Sequence, residues 1–331
     1  MNTPNLFTYA TKELSQDAFL CWLSAWADPK YAANEPTMHK CAQQFILWLL
    51  KHGGISEVNS VESLEIRQQY YSIDILIIVN NEYTILIEDK VHSNQHGNQL
   101  KRYLDRLVEE DKIPRAKIVP IYLKTGNPES GEYDEAIKNE YSVVQRRDLL
   151  DLFDKKDIHP LFHDFYSYLE KQEEEMNSWM SSPLSIWSTN WSAWIGFYSK
   201  IYDHFSKKFK PNEHGWGYIA NPNGGFMSYW LHYGENLHIS LQEKALCIKI
   251  LENNKEKRSE TRKQWYDIVS ETAKNSSLCY SKPARFGSGS YMTVVTRDNG
   301  YIFVDEDGII NLEKTIMNIE EAYTLIKDCT G

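Results

Sequence analysis

Hydrophobic residues recur along the first hundred positions first with helical spacing and then with the alternation of strands. Residues 11–27 carry apolar side chains three or four positions apart, which predicts an amphipathic helix. Thr37 is placed to cap a second helix that stops at Gly53 and Gly54. Residues 61–69 alternate between polar and apolar and predict a first strand.

The next segment has the pattern of a β-hairpin followed by helices and strands. Two β-branched runs, 73–79 and 83–88, flank the polar turn Asn80-Asn81-Glu82. A helix is then expected at 99–110, with Leu100, Tyr103, Leu104 and Leu107 on its packed side, and a short strand at 117–123. Val143 then starts a further strand or extends into the helix expected at 148–154. This order of elements indicates an α/β core, a mixed sheet flanked by helices.

The second half of the chain has a different pattern, rich in aromatic residues. Helices are expected at 155–178, 187–210, 255–274 and 312–328, and strands at 215–220, 226–233, 236–242, 245–251, 290–297 and 300–304. These elements indicate an antiparallel sheet with helices, an α+β domain. The charge run 171–175 and the breaker Ser181-Ser182-Pro183 predict a boundary between domains at 1–178 and 179–331.

Two acids and a lysine mark the ends of the apolar hairpin strands. Asp74 stands near the start of the first strand, and Glu88 and Lys90 close the second. Glu88 and Lys90 are two positions apart and face the same side of the strand, whereas Asp89 faces the other and is expected to be a supporting or structural group. Such groups are costly to bury unpaired but can surround a hard divalent cation. The pattern therefore predicts a metal-dependent hydrolytic site.

The helix after the hairpin carries further candidate residues. Gln99 and Tyr103 are four positions apart and lie on one helix face. Gln99 is a candidate for binding a metal-bound water or the scissile phosphate, while Tyr103 is equally well explained as a core residue. The basic residues Lys101, Arg102 and Arg106 form either a solvated face or a track for phosphates.

The pattern Asp74, residues 75–87, Glu88-x-Lys90 resembles the signature of the PD-(D/E)XK nuclease superfamily. Gln99-x-x-x-Tyr103 resembles the additional motif of its RecB-like branch, and the segment from Glu13 resembles the family's first helix, which often carries another metal-site glutamate. The similarity extends over roughly residues 8–125. The proline of the family name is replaced by Ile73, which leaves the acid in place.

This resemblance implies a restriction-endonuclease-like fold for the first domain and cleavage of phosphodiester bonds in DNA, leaving 5′-phosphate and 3′-hydroxyl ends. It implies Asp74, Glu88 and Glu13 as ligands of Mg²⁺, with Mn²⁺ able to substitute, and Lys90 and Gln99 as further catalytic residues beside Asp74 and Glu88. Asp17, one turn after Glu13, is a weaker candidate for the same site. Phage defence or DNA repair is the setting that the family suggests. The accessory domain at 179–331 is then expected to select the substrate or sense a signal.

Composition limits the partners and the compartment. The formal net charge of −10 argues against a general nucleic-acid coat, so DNA binding must rest on local patches and bound cations. Five scattered cysteines show neither metal spacing nor a disulfide framework. No apolar run is long enough to cross a membrane, and the N-terminus lacks the features of a signal peptide, so we expect a cytoplasmic protein with no membrane partner. An oligomer is compatible with the sequence.

Several alternatives remain open at the level of sequence. The fold could serve as a catalytically inactive binding or regulatory module, although the intact acid-acid-lysine set argues against it. The substrate could be RNA, or the nuclease could be activated by an effector. His92 and His96 suggest a zinc site only weakly, because no third soft ligand is nearby. The aromatic residues of the second half could form a core or partner interface, or stack on exposed bases.

Overall fold

The computed structural model describes residues 4–93, 98–153, 158–221, 224–274, 279–283 and 289–330. The chain divides into two compact units, Met1–Glu174 and Glu175–Gly331.

Within the described residues, the first unit contains a five-stranded sheet and six α-helices. Its helices are α1 Glu13–Ala25, α2 Pro36–His52, α3 Gln99–Glu109, α4 Glu132–Lys138, α5 Arg146–Phe153 and α6 Pro160–Asn177, the last of which continues past the division between the units. Its strands are β1 Leu64–Tyr70, β2 Ile73–Val79, β3 Tyr83–Lys90, β4 Ile118–Lys124 and β5 Ser142–Gln145.

The strands lie in the order β1-β2-β3-β4-β5, with the first three antiparallel and β3, β4 and β5 parallel. Side chains from α1, α2, α5 and α6 pack with one face of this sheet, and side chains from α3 and α4 pack with the other. Because both faces are covered, every residue of β3 is buried, which explains the apolar run Ile85-Leu86-Ile87 at its centre. The expected mixed sheet flanked by helices is confirmed.

The turn between β2 and β3 fixes the register of the hairpin. Asn80 and Asn81 both have positive φ, 55° and 54°, as at the two central positions of a type I′ turn, and the Glu82 N–H closes this turn by donating to the Val79 carbonyl at 3.0 Å. The Asn80 side chain also accepts hydrogen bonds from the backbone of Glu62 and Ser63, which ties the turn to the chain before β1. In the resulting register Ile75 pairs with Ile87, so Asp74 and Glu88 lie at the same end of the sheet.

The second unit contains a separate six-stranded sheet. Its helices are α7 Leu184–Trp187, α8 Trp191–Phe205, α9 Arg258–Lys274 and α10 Leu312–Asp328. Its strands are β6 His214–Asn221, β7 Gly224–Tyr233, β8 Leu237–Gln242, β9 Ala245–Leu251, β10 Tyr280–Ser281 and β11 Tyr291–Arg297. They lie in the order β10-β11-β9-β8-β7-β6, and every pairing is antiparallel. The inward side chains pack with α8 and α10 in one hydrophobic cluster.

Three local predictions differ from the structure. The second helix begins at Pro36, so Thr37 lies inside it and does not cap it. The helix expected over 187–210 is shorter, Trp191–Phe205, because the Asn190 side chain caps it by accepting from Ser192 and Ala193, and Trp187 ends the separate helix α7. Residues 300–304 form no strand: Phe303 donates its N–H to the Thr315 hydroxyl of α10, and only an isolated bridge joins Val304 to Ile310.

Helix α4 is an element that the hydrophobic pattern did not predict. None of the helices in the described part of the chain is long and apolar enough to cross a membrane.

Candidate active site

The side chains of Asp74, Glu88 and Lys90 meet at the end of the hairpin. Lys90 Nζ lies 2.5 Å from Glu88 Oε1 and 3.8 Å from Asp74 Oδ2. Glu88 is fully buried and Lys90 is nearly so. Because the two residues of β3 share one face, the strand itself sets the ion pair, and β2 brings the second acid opposite.

Gln99, the first residue of α3, completes this group. Its Nε2 donates to Glu88 Oε1 at 2.8 Å and to the Tyr103 hydroxyl at 3.0 Å. The spacing of four residues places Gln99 and Tyr103 on the same face of α3, and Tyr103 is buried in the hydrophobic cluster beneath. The structure therefore brings together Asp74, Glu88, Lys90 and Gln99.

Burial and mutual repulsion change the ionisation of the acids at this site. Burial and the nearby Asp74 carboxylate together raise the pKa of Glu88 to about 7, although Lys90 opposes the rise. Burial acts to lower the pKa of Lys90, but the attraction of Glu88 and Asp74 is stronger and the net direction is upward. Lys90 is therefore a cation at neutral pH, suited to stabilising negative charge.

The donor set fits a hard divalent cation. Glu88 Oε2 is buried and accepts no hydrogen bond from the described residues, and it lies beside a second carboxylate. A cation between the two acids would satisfy this oxygen and relieve the repulsion that raises the pKa of Glu88. Mg²⁺ commonly takes only one or two protein carboxylates and completes its shell with water and substrate phosphate.

Glu13 lies near the site but is engaged elsewhere. Its carboxylate accepts from the Ser93 hydroxyl at 2.6 Å and from the Val91 N–H at 3.2 Å. Partial burial acts to raise its pKa, yet these hydrogen bonds and the charge of Lys90 lower it. Over residues 4–93, 98–153 and the other described ranges, no three His, Cys, Asp or Glu side chains are grouped to hold a metal ion. A role for Glu13 as a metal ligand stays a prediction.

The opposite face of β3 carries a second buried polar group. Gln16 Nε2 donates to Asp89 Oδ1 at 2.5 Å, and the Thr125 hydroxyl donates to Gln16 Oε1 at 2.6 Å. Burial raises the pKa of Asp89 well above its ordinary range, and the neighbouring Asp17 raises it further. Asp17 is thus placed behind the strand with Asp89. The backbone N–H of Asp89 donates to Asp74 Oδ2 at 3.0 Å and so holds the Asp74 carboxylate in place.

The basic residues of α3 line an open cleft of about 510 Å³. Arg106 stacks over the Tyr71 ring, 3.3 Å from its centroid, and pairs with Glu110 at 2.9 Å. Lys101 and Arg102 are exposed at the same cleft, but three acids also line it, so its charge is mixed. A phosphate track along α3 stays a prediction.

A buried ion pair beside the site was missed by sequence reasoning. Lys124 Nζ lies 2.9 Å from Glu132 Oε1, and both side chains are almost fully buried. The Tyr122 hydroxyl donates to the same carboxylate at 2.5 Å, and Lys124 also donates to the Ser93 carbonyl at 2.9 Å. Lys124 ends an apolar strand and pairs in register with Lys90, so a charge that closes an apolar run was an available signal. For the weak zinc prediction, His96 lies outside the described residues.

Comparison with known proteins agrees with this geometry. Residues 31–182 match a family model described as the PD-(D/E)XK nuclease superfamily. The match spans the whole five-stranded sheet and α3, and therefore includes Asp74, Glu88, Lys90 and Gln99; it does not include α1 or most of the second unit. It supports a nuclease-fold protein of this superfamily. No curated protein and no solved structure matches the chain.

Proposed function

We propose that the first unit is a metal-dependent nuclease that hydrolyses phosphodiester bonds in DNA. The observation that carries the proposal is the contact of Lys90 with both Glu88 and Asp74 at one end of a buried hairpin. A structural ion pair needs only one acid, whereas two acids and a lysine form a site for a cation and a phosphate. The family match over residues 31–182 supports the same chemistry.

Asp74 and Glu88 would hold the cation, Mg²⁺ or Mn²⁺. When bound, such an ion supplies Lewis-acid stabilisation of a phosphate oxygen and lowers the pKa of bound water. Water attacks phosphorus, the bond to the 3′-oxygen breaks, and that oxygen leaves as a hydroxyl while the phosphate stays on the 5′ side.

The chain's own residues act on charge and position. Lys90, a cation held by the two acids, stabilises the negative charge that develops on the phosphoryl oxygens. Gln99 fixes the orientation of Glu88 through its 2.8 Å hydrogen bond. The Asp89 N–H fixes Asp74 in the same way. Preorganised groups of this kind need no rearrangement when the charge develops, which is the source of their catalytic effect.

The proposal extends to the RecB-like branch, because Gln99 and Tyr103 contact each other and Gln99 contacts the acid of the site. DNA is the proposed substrate, in phage defence or DNA repair, and the protein is proposed to act in the cytoplasm. With a chain net charge of −10, substrate affinity is expected to depend strongly on the divalent cation.

The test is a cleavage assay on double-stranded DNA, single-stranded DNA and RNA with Mg²⁺, Mn²⁺ or a chelator. Glu88→Gln and Lys90→Met are each expected to slow cleavage at least about a hundredfold, since each removes a preorganised charge. The double variant is expected to be little slower than the worse single variant, because both groups serve one step. Gln99→Ala is expected to have a smaller effect in the same direction.

Matched controls are Glu82→Gln in the hairpin turn and Lys51→Met at the end of α2, both exposed and outside the site. Circular dichroism checks that each variant is folded. Titration calorimetry with Mg²⁺ should show binding that Asp74→Asn weakens. Cleavage by Glu88→Gln at the wild-type rate, after contaminating nucleases are removed, contradicts the proposal, and preferential cleavage of RNA contradicts the assignment of DNA.

A further inference from the structure

The outward face of the six-stranded sheet holds a pocket of about 340 Å³ in the second unit. Its walls are aromatic, and its basic groups lie together. The aromatic residues are Phe226, Trp230 and Tyr291, and the basic residues are His232, His238 and Lys249, accompanied by an isoleucine and two serines. This volume is in the range of natural pockets for small molecules.

The strand register explains how the basic residues meet. His232 of β7 stands directly opposite His238 of β8, and His238 stands directly opposite Lys249 of β9. The two imidazole rings are 5.3 Å apart, and the His238 ring meets the Tyr291 ring edge-on at 5.5 Å. Trp230 precedes His232 by two positions and so projects from the same face. Side chains one position away, such as Leu231 and Ile239, point into the core.

Among the described residues, these basic side chains have no acid beside them to balance their charge. No Asp or Glu lines the pocket in the part of the chain that the structure describes. Within that same part, neither Lys249 Nζ nor the two imidazoles form a hydrogen bond or an ion pair with another side chain. The chain as a whole has 46 acidic and 36 basic residues, so a cluster of three basic side chains without an acid is not what its average composition would produce.

The arrangement is costly for a protein without a ligand. Burial lowers the pKa of Lys249 below its usual range, which shows that its charge is poorly solvated where it stands. Burial, together with the neighbouring His232 and Lys249, lowers the pKa of His238 to about 3, so its imidazole is neutral at pH 7. A cation held without a partner in a partly buried site is destabilising. An anion placed against Lys249 would remove that cost.

We propose that this pocket binds a nucleotide, with its base between the aromatic side chains and its phosphate on Lys249 and the two histidines. Trp230, Phe226 and Tyr291 offer flat faces of the kind on which bases stack. The lysine provides a charged donor, and each neutral imidazole provides one N–H donor for phosphate oxygens. A neutral sugar would leave the lysine unbalanced, and inorganic phosphate would leave the aromatic walls empty. The proposal does not depend on nuclease activity of the first unit.

The test is titration calorimetry on the full chain with the 5′-monophosphates of adenosine, guanosine, cytidine and uridine, in chelator. At least one is expected to bind with a Kd below 1 mM, quenching Trp fluorescence as the base stacks. Adenosine and inorganic phosphate, each half of a ligand, are expected to bind at least about tenfold more weakly. Glu88→Gln is expected to bind the nucleotide unchanged, which separates this pocket from the proposed nuclease site.

Substitutions within the pocket make the test decisive. Lys249→Met and Trp230→Leu are each expected to weaken binding at least tenfold, while Lys244→Met, an exposed lysine in the turn before β9, is expected to leave it unchanged. Lys249→Met is also expected to raise the melting temperature of the unliganded protein, because it removes an unpaired cation. If the lysine instead had a purely structural role, Lys249→Met would lower the melting temperature.

Three results overturn the proposal: no nucleotide binding below 1 mM, binding that Lys249→Met leaves unchanged, or phosphate alone binding as tightly as any nucleotide.

Discussion

At the scale of single residues, two lysines show how surroundings decide the role of one chemical group. Lys90 is buried against two carboxylates, and the net effect raises its pKa. Lys249 is partly buried among histidines and aromatic rings, and desolvation lowers its pKa. The first lysine already has counter-charges within the protein. The second has none among the described residues, and the phosphate of the proposed nucleotide would supply one.

His238 gives a prediction of pH dependence at the same scale. Burial lowers the pKa of His238 to about 3, against an ordinary value of 6.5, so the folded protein holds this imidazole neutral. The unfolded chain binds a proton below pH 6.5, and the folded state does not until about pH 3. Stability from this group is therefore complete at neutral pH and is lost as the pH falls through this window.

At pH 5 the loss relative to pH 8 is about 2 kcal/mol. We expect the difference in unfolding free energy between wild type and His238→Gln to shrink by this amount between the two pH values. Urea unfolding monitored by circular dichroism measures it. His163→Gln, at an exposed position on α6, serves as the control for replacing a histidine. A constant difference for His238→Gln would contradict a lowered pKa of His238 in the folded state.

At the scale of elements, the chain that leaves β4 passes so close to the chain that leaves β3 that only glycine fits at position 126. The Thr125 N–H donates to the Lys90 carbonyl at 3.1 Å, which extends the pairing past the strands. A Cβ on the next residue, Gly126, would lie 1.7 Å from the Val91 carbonyl oxygen. Val91 follows Lys90 directly and donates its N–H to Glu13, so this packing holds the chain that leaves the candidate site.

Gly126→Ala is therefore expected to destabilise the first unit by about 1–3 kcal/mol, the usual effect of overpacking, and to slow cleavage by shifting Lys90. Thermal unfolding and the cleavage assay measure the two effects. Gly289→Ala is the matched control, because among the residues that the structure describes no atom lies within 4 Å of a Cβ at that position. An unchanged melting temperature for Gly126→Ala would mean that the strand ends can move apart freely.

Elements were predictable where local sequence and tertiary packing agree. The β2–β3 hairpin combines β-branched runs with an Asn-Asn turn, and both signals specify one register. Residues 300–304 have a similar apolar pattern, but the Phe303 N–H donates to Thr315 of α10. A turn follows in which the Ile309 N–H donates to the Asp305 carboxylate, and the local pattern encodes neither contact. Helix α4 is seven residues long, too short for hydrophobic periodicity to show.

The candidate site was partly predictable for the same reason. Strand parity alone places Glu88 with Lys90 and Asp89 on the other face. The contacts of Asp89 with Gln16, and of Lys124 with Glu132, join residues far apart in sequence, and no local rule reports them. The row of His232, His238 and Lys249 depends on the pairing of three strands, and it became visible only in the folded sheet.

At the scale of the whole molecule, the chain holds separate hydrophobic clusters and two sheets. Ile77 lies in a cluster of the first unit and Ile239 in that of the second, and both are completely buried. Replacing either isoleucine by alanine should lower the free energy of unfolding by about 2–5 kcal/mol, because apolar burial is lost and a cavity is left behind. The proposal of an accessory domain requires that each loss be confined to its own unit.

Calorimetric unfolding of Ile77→Ala, Ile239→Ala and the double variant tests this. Each single variant is expected to lower the midpoint of one transition and leave the other unchanged, and the double variant should show both shifts, because sites without shared neighbours act additively. The nucleotide proposed for the second sheet should raise only the transition that Ile239→Ala lowers, and Mg²⁺ should raise only the one that Ile77→Ala lowers. If both variants and both ligands instead move a single common transition, the chain unfolds as one cooperative body. The second unit would then not be an accessory domain that is stable independently of the first.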